Sequence, residues 1–471
     1  MSLFLDIQTL HRLFTRLELS PVEHLQATIE RMEKVNPDIR AFVQFSYDEA
    51  LSAAQEAENN YKKGIIKSPL QGITVGIKDV IQTKDAPVTM ETELYYEHPI
   101  YPQEEDAFAV EQLRRAGAVI VGKTNTHEMG MGPTGDVGYS GHARNSYDSN
   151  KVTGGSSSGS AAAISAGLCD VTLGSDTGGS IRLPGALSGV VGMKPSFGRV
   201  SNRGFFPLSY SCDAIGPMTK NIRDNAEVLQ AISAYDPEDM YSKAFPEEDL
   251  RSKIGQSVEG MRIGIPYHWL EEKLDQEIRA NFYEVIDVLK SLGARLVEVD
   301  LPSRSELESL RAHHQRVLIS EGYHAHQAEL SHPGKFDEGI HQRLLGGNQN
   351  ALDYIASYQK KQKLIDLYRK IYEQCEVLVT PAVMLPACDL YQTEVTVEGQ
   401  LYTTMKAYTE FTWLDSFSGF PSLNLPSGFN REGLPLGVLF NANRGEEARI
   451  YQAASALEAA LDLELLPQGD D

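Results

Sequence analysis

Lys78 lies in the string GITVGIKDVI, whose β-branched residues on both sides of it describe a strand that reads as buried. An ammonium group in such a place must be paired or lose its charge. A lysine on an edge strand facing solvent is the competing reading of the same string. Ser180 follows two glycines in GSDTGGSIRLPG, and TGGSSSGSAAA sets a second serine-rich turn before a helix-prone run. A serine hydroxyl is a weak nucleophile until a base takes its proton, and neither segment has an evident histidine partner. Lysine can be that base once burial leaves it neutral. The run Thr177-Gly178-Gly179-Ser180 lets backbone N–H groups converge with little obstruction, the form of an oxyanion hole. These residues point to acyl transfer through a serine.

Other readings of the glycine-rich strings are poorer. A phosphate-binding loop needs Lys-Ser or Lys-Thr after its last glycine, and neither loop has it. GMGPTG, beginning at Gly130, matches G-x-G-x-x-G literally, but Pro133 interrupts the helix start that would hold a pyrophosphate. The string TGGSIRL around Ser180 is not the G-x-S-x-G elbow of α/β-hydrolases.

The elements that must hold these residues alternate. Ser20-Pro21-Val22-Glu23 is a capping box, and apolar residues at Val22, Leu25, Ile29 and Met32 continue it as a helix. A second helix is expected over Tyr47 to Lys63 and a third over Ala107 to Ala116, before the strand in AGAVIVGKTN. From Gly130 to Gly216, Gly, Ser, Ala and Thr alternate with apolar runs too long to stay solvated, so this reads as closely packed core. Further strands are expected within Val258 to Trp269, Cys375 to Ala387 and Leu423 to Ala442. Helices are expected at Gln276 to Leu292, at Arg304 to His332 and at the C-terminal ARIYQAASALEAAL. Strands alternating with helices predict the α/β class.

Composition bounds the function. The chain has 471 residues, 41% of them hydrophobic, and a formal net charge of −22. That charge repels phosphate backbones, so direct nucleic-acid binding is excluded as an expectation. Four scattered cysteines, Cys169, Cys212, Cys375 and Cys388, form neither a disulfide framework nor a CxxC zinc pair. No stretch of eighteen apolar residues or apolar leader occurs, which predicts a cytoplasmic protein with no membrane span.

The three catalytic segments together resemble the amidase signature family, whose members cleave amides with a Ser–cis-Ser–Lys triad. GITVGIKD supplies Lys78; the first serine of GGSSSGS is Ser156; DTGGSIR supplies Ser180. GKTNTHE, DAIGPMT and GFPSLNLPSGF follow in the family's order, as does SPVEHLQATIERMEKVNP near the N-terminus, so the likeness covers nearly the whole chain. Ser158 where glycine is usual and Thr74 where proline is usual are its departures. The resemblance implies one domain over residues 1–471, with a central mixed sheet covered by helices on both faces. Within it lie a helical segment at 1–65, a core at about 66–235 and a variable substrate-side region at about 300–400. It implies Ser180 as nucleophile, Ser156 on a cis peptide as proton relay and Lys78 as base, with no metal or cofactor. Backbone N–H groups of Thr177, Gly178, Gly179 and Ser180 are expected to hold the oxyanion. Asp176 and Arg182 are expected to brace the loop, and Gly130, Met131 and Ser156 to contact substrate.

The family divides into free-standing hydrolases and the A subunit of glutamyl-tRNA(Gln) amidotransferase, whose glutamine pocket carries a motif like R-Y-D-G-V-R-Y-G. The comparable stretch, Leu318 to Ile340, lacks it, and no arginine lies between Arg316 and Arg343. A guanidinium is the natural clamp for a carboxylate. The expectation is therefore a free-standing amidase for a neutral, rather apolar small amide, with esters or carbamates also open to it. A non-catalytic scaffold and the glutaminase subunit are the alternatives, and Arg343 could reach a carboxylate from elsewhere. Dimers are common among relatives, so a homodimer is one state open to the chain. His313, His314, His324 and His326 read as a solvated helical segment rather than metal ligands, because spacing of two splits them between faces. Glu128 reads as a supporting residue and Cys212 as inert.

Overall fold

The computed structural model describes residues 4–100, 105–270 and 274–465. Among the described residues, thirteen strands form in chain order: β1 (Phe42–Phe45), β2 (Thr74–Lys78), β3 (Val119–Thr124), β4 (Val171–Asp176), β5 (Val191–Lys194), β6 (Ala214–Thr219), β7 (Arg262–Ile265), β8 (Arg295–Glu298), β9 (Val377–Pro381), β10 (Glu394–Val397), β11 (Gln400–Thr403), β12 (Ser422–Phe429) and β13 (Pro435–Ala442). Eleven of them make one mixed sheet in the order β1-β3-β2-β4-β6-β5-β12-β13-β9-β7-β8, and β10 and β11 form a separate hairpin. Strand β2 runs parallel to both β3 and β4. Every residue of β2, β4, β6 and β9 is buried, so both faces of the sheet are covered there. This is the mixed α/β arrangement read from the sequence.

Local chemistry explains where elements start and stop. Ser20 Oγ accepts from Glu23 N at 3.1 Å and Glu23 Oε2 accepts from Ser20 N at 2.8 Å, capping the helix Pro21–Ile39. The strand expected within Val258 to Trp269 narrows to β7. Gly260 turns the chain at φ +75° before it, and beyond Pro266 the helix Tyr267–Leu270 begins. The long helix expected to reach His332 ends at Ala325, and the chain resumes as the short helix Gln327–Leu330. Helix Arg304–Ala325 packs against Ala351–Gln374 and faces the loop that follows β4.

Candidate active site

The order β3-β2-β4 settles the reading of Lys78, since β2 has neighbours on both sides and the side chain is fully buried. Its Nζ donates to Ser156 Oγ at 2.7 Å and to Ser175 Oγ at 2.9 Å. Lys123, on β3 nearby, is instead paired with Asp79 at 3.1 Å. Lys78 has only hydroxyl partners, so burial pushes its pKa down to about 7; Asp176 and Asp213 oppose this only partly. A large share of Lys78 is therefore neutral near neutral pH, the condition for a base.

Ser156 is fixed through its backbone. Its carbonyl accepts from His127 N at 3.0 Å and from Thr126 Oγ1 at 2.9 Å, and the Gly155–Ser156 peptide is cis. Ser157 N donates to the Ser180 carbonyl at 3.1 Å, which ties this turn to the loop after β4. Gly130 lies close by: a Cβ there would stand 3.7 Å from Ser156 Oγ.

The loop 177–181 is held by Asp176. Its carboxylate accepts from Gly179 N at 2.8 Å and Ile181 N at 3.2 Å, and Arg182 grips both of its oxygens at 3.0 Å. The guanidinium also donates to Asp415, Ser422, Ser416 and the Thr412 carbonyl, all inside the protein. Asp176 and Arg182 therefore stand where a brace must be. Gly179 adopts φ +135°, and a Cβ there would fall 2.4 Å from Thr412 Oγ1, so the turn demands glycine. The geometry corrects one expectation. The Gly179 N–H is committed to Asp176, because the carboxylate folds back over its own loop, and it is not free for an oxyanion. The N–H groups of Gly178 and Ser180 make no such bond within the loop.

Ser180 is partly exposed and opens into a chamber of about 60 Å³. The wall includes Gly130, Met131, Thr177 and Gly178, together with Leu208, Leu318 and Trp413. Lys78 and Ser156 lie behind it.

Several residues that shape the site are not singled out by the sequence. Ser175 is one of the two partners of Lys78. Asp213 accepts from Thr177 Oγ1 at 2.5 Å and from the N–H groups of Leu208 and Ser209, and burial pushes its carboxyl up to about 7. Local strings give some signal, as both sit inside the segments GSDTGG and SCDAIGPM. Arg343 and His314 also line the chamber, Arg343 from helix Glu338–Leu345 and His314 from helix Arg304–Ala325. Arg311 lines it too, but is paired with Glu410 at 2.8 Å. Arg343 donates only a long bond of 3.5 Å to the Met131 carbonyl, and among the described residues no carboxylate pairs with it. Among the described residues, no Asp or Glu belongs to the chamber wall.

The remaining candidates fall elsewhere. Glu128 is buried, accepts from Asp337 N at 2.7 Å and is pushed up to about 7 by burial, a packing position beside the chamber. Cys212 is buried with its thiol pushed up, hence unreactive. His324 meets Tyr210 OH at 3.3 Å beside a separate cleft of about 900 Å³ that holds none of Lys78, Ser156 and Ser180.

Comparison with known proteins gives a consistent result. The profile of the Amidase family matches residues 23–451. The A subunit of glutamyl-tRNA(Gln) amidotransferase from Streptococcus sanguinis is 34% identical over 97% of this chain and 96% of its own length. A solved amidase structure superposes with a TM-score of 0.87 at 32% identity, covering 97% of this chain and all of that one. The peptide amidase of Stenotrophomonas maltophilia superposes with a TM-score of 0.85 at 26% identity, covering 99% of each chain.

Proposed function

Because the chain belongs to the amidase signature family, we propose that it is a free-standing amidohydrolase for a small amide bearing a carboxylate and no ammonium group. The observation that carries the substrate half of this reading is the guanidinium of Arg343, half-buried in the chamber wall and, among the described residues, without a counter-charge. An unpaired cation in a desolvated site is costly, and a substrate anion is the partner that relieves it. This revises the expectation of a neutral, apolar amide, which rests on the arginine-free stretch just before Arg343.

Ser180 Oγ attacks the amide carbonyl and gives its proton through Ser156 to neutral Lys78. The oxyanion is held by the backbone N–H groups of Thr177, Gly178 and Ser180; losing one such donor typically costs about 3 kcal/mol of barrier. The proton returns to the leaving nitrogen, the amine departs, and water attacks the acyl group on Ser180 with Lys78 again taking the proton. The contact of 2.7 Å between Lys78 Nζ and Ser156 Oγ supports this relay.

The glutaminase-subunit reading has the Streptococcus relative in its favour. Against it, glutamine carries an ammonium beside its carboxylate, and the chamber wall, among the described residues, offers two guanidinium groups and no Asp or Glu. A scaffold without activity leaves unexplained why a buried, unpaired lysine is kept. The test is ammonia release by the purified chain from succinamate, butyramide and glutamine. Succinamate should exceed butyramide in kcat/KM by roughly 10- to 100-fold, the worth of a charge-assisted pair. Turnover of glutamine that appears only when partner subunits are added would establish the subunit reading instead.

A further inference from the structure

We propose that Thr412 is a positioning residue whose hydroxyl holds the Gly178 carbonyl out of the chamber and so keeps the Gly178 and Ser180 N–H groups presented to the oxyanion. The inference rests on the reading of Ser180 as the nucleophile and adds a residue to it. Thr412 is fully buried and occupies the N-cap of helix Trp413–Ser418, yet its side chain caps nothing there. A threonine in that position ordinarily accepts from the first turn of its own helix. Here the hydroxyl is turned to the loop after β4 instead, and donates to the Gly178 carbonyl at 2.6 Å. It lies so close under the loop that a Cβ on Gly179 would fall 2.4 Å from Oγ1. Gly178 and Ser180 line the chamber, as do Thr409 and Trp413, while Thr412 itself stands behind the wall.

The bond closes a ring. The Gly179 N–H goes to Asp176 at 2.8 Å, Arg182 grips Asp176, and Arg182 also donates to the Thr412 carbonyl at 2.9 Å. One peptide, Gly178–Gly179, is thus held at its oxygen by Thr412 and at its N–H by Asp176, and both anchors meet at one guanidinium. Such a hold is needed because two successive glycines have no side chain to limit their rotation. Without the hydroxyl, the Gly178 oxygen is a buried acceptor short of a partner, and rotation of the peptide toward the open chamber lets it reach water. A carbonyl there repels the developing oxyanion. The same rotation carries the flanking N–H groups off line, where a donor gives much less stabilisation.

The test uses a fluorophosphonate. Ser180 Oγ displaces fluoride from phosphorus and the phosphoryl oxygen takes the oxyanion's place, so no knowledge of the substrate is needed. Intact-mass kinetics give the limiting labelling rate and the half-saturating concentration for the wild type, Thr412→Val and Thr412→Ser. The first variant keeps the shape and removes the hydroxyl; the second keeps the hydroxyl and removes the methyl. Thr412→Val should lower the limiting rate roughly 10- to 100-fold with half-saturation unchanged, and Thr412→Ser should stay within about 3-fold of the wild type. A threonine that only braced the fold would give wild-type rates in every variant that folds. Wild-type rates in Thr412→Val, equal losses in Thr412→Val and Thr412→Ser, or a change confined to half-saturation overturns the proposal. Absence of labelling in the wild type overturns the nucleophile reading itself, which separates the two failures. If Thr412→Val does not fold, Thr412→Ala against Thr412→Ser isolates the same hydroxyl, and equal limiting rates in that pair overturn the proposal.

Discussion

Replacing Lys78 with methionine should destroy activity and yet make the protein more stable near neutral pH. The side chain is fully buried and its pKa falls from 10.5 to about 7 because water is withdrawn from the ammonium. Between those values the unfolded chain holds a proton that the folded chain lacks, so stability rises with pH across that window and the penalty is full below it. At about 1.4 kcal/mol per pKa unit, the penalty near pH 7 is about 4 kcal/mol, shrinking to about 1.5 kcal/mol near pH 9.5. Methionine removes it, fills similar volume, and leaves Ser156 and Ser175 each short of one hydrogen bond, worth about 1 kcal/mol apiece. The expected outcome near pH 7 is a net gain of about 2 kcal/mol, with kcat down by roughly 100- to 10,000-fold for loss of the base. Urea unfolding of both proteins near pH 7 and near pH 9.5 reads the difference directly. The methionine variant's advantage should fall by about 3 kcal/mol between the two conditions, other groups cancelling. A difference independent of pH would mean Lys78 is charged in the fold, and the argument that it serves as a base would collapse.

Ser180→Ala should take up no fluorophosphonate and lose at least about 1,000-fold in kcat, with its melting transition within a degree or so of the wild type, since the hydroxyl faces the chamber. Arg343→Met should raise KM for succinamate roughly 10- to 100-fold while leaving butyramide unchanged, measured by ammonia release; equal effects on both amides would remove the carboxylate from the proposed substrate. Arg182→Met should destabilise by about 3 to 5 kcal/mol in urea unfolding, because it leaves Asp176 buried and uncompensated. The rate of hydrolysis should rise with pH through about 7 as Lys78 loses its proton, and this limb should be absent from the residual activity of Lys78→Met.

What is legible in the chain and what is not divides by how the information is stored. Ser156 and Ser180 lie in short strings whose glycines bear on local turns, so they are legible as text. Lys78 is half legible: its string gives a strand, but whether the strand is central or at an edge depends on β3 and β4 flanking β2, a pairing across nearly a hundred residues. Counting the backbone N–H groups of the loop assigns Gly179 to the oxyanion, yet a count does not show which of them are already taken. The carboxylate three residues before it is the hint that one is. His314 and Arg343 belong to a third kind. His313 and His314 are adjacent on one helix, about 100° apart around its axis, and only packing against Trp413 and Phe417 selects His314 for the chamber. Arg343 is informative through what is missing around it. The sequence is rich in carboxylates, 65 of them, yet among the described residues not one belongs to the chamber wall. That wall is assembled from segments near residues 131, 178, 208, 314, 343 and 409, and the absence of a charge from such a surface is written in no single string. On the proposed reading, substrate charge is therefore the property that the fold adds to the text, because in a strongly acidic protein an anionic substrate needs a cation kept free for it.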